Sequence, residues 1–89
     1  MYESGSVVRS LAGHDKNRYY VVVESGDGWV TIADGKERKL AKPKRKNLRH
    51  VQGTKTRLEL ENIPSDKALY RQLEQMNRAL AGMRRQGGI

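Results

Sequence analysis

The side chains that could do chemistry are crowded into one stretch. Residues 36–50 hold eight Lys or Arg and one acid, eight minus one giving +7, whereas residues 1–35 hold three bases against five acids and residues 51–89 seven against four. That one segment therefore supplies most of the chain's net +8. Lysines on an edge strand guard against aggregation, but this density exceeds what that role needs. A line of cations of this kind neutralises phosphates without reading bases, with arginine offering a bidentate fork and lysine a point charge. The candidate phosphate contacts are Arg38, Lys39, Lys42, Lys44, Arg45, Lys46 and Arg49. Nucleic acid is the expected polyanion, ahead of an anionic membrane, because no amphipathic apolar anchor lies within the segment.

Other chemistry finds little to work with. His14 and His50 lie far apart, there is no cysteine, and no GxSxG, P-loop or metal-ligand spacing occurs. Glu59 and Glu61 would share a strand face beside Arg57, which reads as a surface pair rather than an acid–base dyad. No catalytic residue, metal or cofactor is expected. Absence of cysteine weighs against a secreted, disulfide-dense module. The opening Met-Tyr-Glu-Ser-Gly has no signal-peptide character, and no uncharged run approaches a membrane span, so a cytoplasmic location without a membrane partner is expected.

The cations need elements to carry them, and 89 residues allow one small domain with an appendage. Val7, Val8 and Leu11 before the polar turn at residues 12–18, and Tyr19 to Val23 after it, predict two strands, Ser6 to Ala12 and Tyr19 to Glu24. Ser25-Gly26-Asp27-Gly28 predicts a reversal into a third strand, Trp29 to Ala33, where Val30 and Ile32 alternate with Thr31. Asp34-Gly35 reads as a two-residue hairpin turn into a polar edge strand at Lys36 to Leu40, ended by Pro43. Lys44-Arg45-Lys46 then reads as a connection and Leu48 to Val51 as a last short strand. Five short strands with turn chemistry between them predict a mainly β protein, a small barrel over residues 1–53.

A polar linker is expected over 54–64, followed by an amphipathic helix over 65–85 entered at Ser65 or Asp66 and stopped by Gly87-Gly88. Leu69, Leu73, Met76, Leu80 and Met83 recur at spacings of four and three, one stripe that either docks the helix on the barrel or forms a self-association seam. Tyr20 and Trp29 are the candidates for stacking unpaired bases, although rings in a chain without phenylalanine are more simply core.

The stretch GSVVRSLAGHDKNRYYVVVE resembles the KOW motif, a strand–loop–strand element of RNA-binding proteins of translation and transcription. The matching features are Val7-Val8 with Leu11, Gly13, the Asp15-Lys16 pair with Arg18 beyond it, and the valine run. Residues 32–52 are similar to the KOW branch that contains a eukaryotic and archaeal large-subunit ribosomal protein and its small bacterial relatives. The family's loop often has glycine where this chain has Asn17, a residue that also tolerates left-handed backbone, and Tyr19-Tyr20 stand where many members have a second glycine. The resemblance covers about the first 52 residues. It implies an SH3-like barrel of about five strands, followed here by the C-terminal α-helix, and an RNA-contacting loop made of Gly13, His14, Lys16, Asn17 and Arg18. It also implies ribosomal RNA or the ribosome, with its proteins, as partner. The alternatives are an adaptor acting through the helix stripe and a DNA- or transcription-associated KOW protein.

Overall fold

The computed structural model describes the backbone of residues 2–14 and 16–87, with side chains to residue 79. Asp15 of the turn and the side chains of Leu80 and Met83 on the helix stripe lie outside the described residues. The chain is mainly β, and its five strands, β1 Ser6–Ser10, β2 Tyr19–Gly26, β3 Trp29–Ala33, β4 Lys44–Asn47 and β5 Val51–Arg57, precede one helix, α1 Asp66–Gly87. Every pairing is antiparallel, and the order β4-β3-β2-β1-β5 makes a four-strand meander, β1 to β4, with β5 returning beside β1. The sheet is open, with β4 and β5 as its edges.

Strand alternation sends successive side chains to opposite faces, and here both faces are covered. Val7, Val21 and Ala33 face one way, against Ile63, Leu69 and Leu73; Val8, Tyr20, Val22, Val30, Ile32 and Val51 form a second cluster facing the other way. This double burial is why β2 reads as an unbroken run of Tyr and Val rather than an alternating pattern. Leu69 and Leu73 are fully buried and Met76 is half-buried, so the described part of the helix stripe docks on the chain's own sheet. Burying two such leucines contributes about 1.5–3 kcal/mol each.

Four predicted elements differ in the structure. The polar strand expected at Lys36 to Leu40 is a loop, and Asp34-Gly35 does not close a two-residue hairpin. Instead the buried Asp34 side chain turns back along its own loop, Oδ1 accepting from the backbone N–H of Lys36 at 3.0 Å and of Arg38 at 2.9 Å. The backbone N–H groups of Asp34 and Gly35 both donate to the Arg38 carbonyl at 3.0 Å, completing the curl. Lys44-Arg45-Lys46, expected as a connection, is β4, paired with β3 from Ile32↔Lys44 to Trp29↔Asn47. Leu48–His50 is a 3-10 turn capped by Asn47, and β5 continues to Arg57, opposite Ser6, through part of the expected linker. The rest of that linker is not free: Leu58, Leu60 and Ile63 pack into the helix-side core.

Ser65 enters the helix as expected, its Oγ accepting from Ala68 N–H at 3.2 Å. Asp66 faces outward from the cap, where Oδ1 accepts from Leu40 N–H at 2.7 Å and ties the β3–β4 loop to the helix start. The same loop touches the first helical turn at Gly35. Its φ is +83°, and a Cβ there would run into the Asp66 carbonyl oxygen, so a glycine is required on both counts. The backbone remains helical through Gly87, past the end expected near residue 85.

Candidate functional site

The β1–β2 loop, the β3–β4 loop, β4 and the first turns of α1 surround an open groove of about 560 Å³. Gly13, His14 and Arg18 come from the first loop, Asp34, Lys36, Glu37 and Arg38 from the second, Lys44 and Lys46 from β4, and Tyr70 and Glu74 from the helix, with Tyr20 beneath. Five Lys or Arg side chains thus face three carboxylates, and the acids are not spread evenly. Asp34 is buried and occupied with backbone N–H groups, so the surface available to a ligand is more basic than the count alone implies.

Each wall is positioned by a local cause. The first loop turns through Asn17, whose φ of +72° fulfils the left-handed conformation expected of it, with its N–H bonded to the Ser10 carbonyl at 2.7 Å and Lys16 N–H to that of Gly13 at 3.2 Å. This loop is then fastened across the sheet. Lys46 Nζ donates to the buried Ser10 hydroxyl at 2.9 Å and to the Ala12 carbonyl at 3.2 Å, joining edge strand β4 to the end of β1. From the other side Arg18 reaches the helix, its guanidinium 3.5 Å from Glu74 Oε2. That pair is partly exposed and contributes about 0.2–1 kcal/mol.

The Arg18–Glu74 contact is an ion pair without hydrogen-bond geometry, since Glu74 Oε2 is itself a buried oxygen that no donor reaches among the described residues. Beside it, Lys36 Nζ lies 5.2 Å from the centroid of the Tyr70 ring. Tyr70 and Glu74 are four residues apart on α1 and therefore neighbours on one helix face. The groove has a basic sheet side and an aromatic, acidic helix side.

Of the expected contacts, Gly13, His14, Arg18, Arg38, Lys44 and Lys46 meet in this groove. Lys16, Lys39, Lys42 and Arg49 are exposed but lie outside its walls, and Asn17 shapes the loop without lining it. Lys39 Nζ leans on the Gly35 carbonyl at 3.4 Å. Arg45 is turned to the other face of β4, its guanidinium 4.6 Å over the Trp29 ring.

The stacking residues need correction. Tyr20 is only 3 % exposed and belongs to the core cluster with Val22 and Ile32, so no base can lie on it. Trp29 is half-buried and engaged, with Arg45 over the ring and Gly26 so close that a Cβ there would overlap the indole. The aromatic ring at the groove is Tyr70, which the sequence patterns do not single out, and the same is true of Lys36, Glu37 and Glu74. The available signal is position, because Tyr70 and Glu74 each follow a stripe leucine by one residue and so flank the docked face at its rim.

Among the described residues no group of three or more His, Asp or Glu side chains could hold a metal ion, and no helix is long and apolar enough to cross a membrane. No protein-family model matches the chain, and no curated protein matches it.

Proposed function

We propose that this protein is a non-catalytic RNA-binding protein, an SH3-like KOW barrel that docks on structured RNA, ribosomal RNA foremost, by neutralising its phosphates. One observation carries the reading: the loop that resembles the KOW motif and the basic segment 36–46 converge on a single groove although the sequence separates them by some twenty residues. Arg38 and Lys44 line it with no side-chain hydrogen bond or ion pair among the described residues, which leaves them available to an incoming phosphate. Lys42 and Lys39 extend the same positive surface beyond the groove. Lys46 and Arg45 support the site, one by fastening the first loop and the other by covering Trp29.

The helix-adaptor alternative loses its main reason, because Leu69 and Leu73 are buried in the chain's own core. The test is charge reversal confined to available cations. Arg38→Glu, Lys42→Glu and Lys44→Glu together abolish RNA binding while far-UV circular dichroism and the unfolding midpoint stay near wild type. Unchanged affinity for structured RNA defeats the proposal, and tighter binding to duplex DNA than to RNA at one salt concentration redirects it to DNA.

A further inference from the structure

The helix side of the groove is the wrong chemistry for a phosphate. Glu74 places a carboxylate there, and its Oε2 is buried without a hydrogen-bond donor, 3.5 Å from Arg18 in an ion-pair contact only. A carboxylate accepts and cannot donate, so a ligand that satisfies it must bring N–H or O–H groups, and the partly exposed Glu74 side chain must turn Oε2 outward from Arg18 to meet them. One helical turn before it stands Tyr70, half-buried at the groove wall and covered on its ring by the Lys36 ammonium at 5.2 Å. A cation–ring contact at the surface is held weakly, and Lys36 is exposed. It can leave the ring for a phosphate while a flat base takes its place. Aromatic stacking with hydrogen bonding to the base edge is how proteins read unpaired nucleotides.

From this we infer that the groove seats one unpaired guanine nucleotide of the bound RNA, its base on Tyr70, its Watson–Crick edge on Glu74 and its phosphate among Lys36, Arg38 and Lys44. The choice of base follows from donor count. The guanine edge has adjacent N1–H and N2–H donors, matching the two oxygens of one carboxylate. Adenine and cytosine each offer a single amino group beside an acceptor nitrogen, and uracil a single N–H between two carbonyls, so each sets a lone pair against the carboxylate. The groove volume of about 560 Å³ lies within the range that encloses a small ligand.

This inference rests on the RNA-binding reading, and fluorescence anisotropy at fixed salt separates the two. The probes are a short oligouridine and the same oligomer with one central guanine, adenine or cytosine. The guanine oligomer binds about tenfold more tightly than the others, the discrimination of a good bidentate contact. Glu74→Gln brings that ratio close to one, and Tyr70→Leu weakens the guanine oligomer most; thermal unfolding verifies that both variants fold. Equal affinity of the wild-type protein for all four oligomers overturns the guanine site and leaves phosphate docking standing. A guanine preference that survives Glu74→Gln also overturns it. Free GMP that binds as tightly as the guanine oligomer overturns it in favour of a free-nucleotide site. Failure to bind the oligomers and structured RNA alike overturns both readings.

Discussion

The β3–β4 loop and strand β4 carry nearly the same positive charge and use it in different ways. In the loop the backbone is held from within by Asp34 and from below by Asp66, so Arg38 and Lys42 are left facing solvent. In β4 the strand pairing fixes the side chains to alternate faces, and two of its cations meet partners there: Lys46 the Ser10 hydroxyl, Arg45 the Trp29 ring. Charge density in a sequence therefore measures how much cation is present, while backbone geometry decides how much is available. An acid inside a basic segment can enlarge the available share, as Asp34 does by fixing the loop that displays its neighbours.

Substitutions sharpen this contrast. The largest effect falls on the loop's seat. Gly35→Val introduces a Cβ against the Asp66 carbonyl at positive φ, and urea unfolding should register a destabilisation of about 3 kcal/mol, with RNA affinity falling as the loop is displaced. Asp34→Ala follows, leaving two backbone N–H groups without their acceptor and costing about 2 kcal/mol in the same measurement.

Lys46→Ala strips the ammonium from the Ser10 hydroxyl and should cost about 1–2 kcal/mol, whereas Arg38→Ala and Lys42→Ala should stay within about 0.5 kcal/mol. If Lys46→Ala is as neutral to stability as Lys42→Ala, the distinction between supporting and available cations breaks. Arg45→Ala falls between these, about 0.5–1 kcal/mol for the interaction with Trp29, read most directly as a change in tryptophan fluorescence.

Much of the architecture is legible in the sequence because it is written in local patterns. The valine runs, the left-handed Asn17 and the leucines at spacings of four and three all report conformation within a few residues of themselves. Expectation and structure part where a residue acts at a distance. Asp34-Gly35 has the sequence of a tight hairpin turn, but its carboxylate and its glycine serve interactions with Arg38 and with Asp66 at the helix start. That lengthens the turn into a loop and moves the edge strand to Lys44.

The basic wall of the groove can be read from composition, although not which lysine turns inward, since Lys46 finds Ser10 only when β4 and β1 are brought together by the sheet. The helix wall is hidden for a related reason. Tyr70 and Glu74 are unremarkable at i and i+4 until the docking of Leu69 and Leu73 rotates them to the groove's rim.

The most direct test of phosphate docking by the available cations is the salt dependence of RNA binding. The logarithm of affinity against the logarithm of salt concentration is compared between wild type and the Arg38→Ala, Lys42→Ala, Lys44→Ala triple variant. The variant's slope should be shallower by about 2, roughly 0.7 for each single-strand phosphate that these side chains no longer neutralise. A variant with the same slope as wild type would contradict phosphate neutralisation by these side chains.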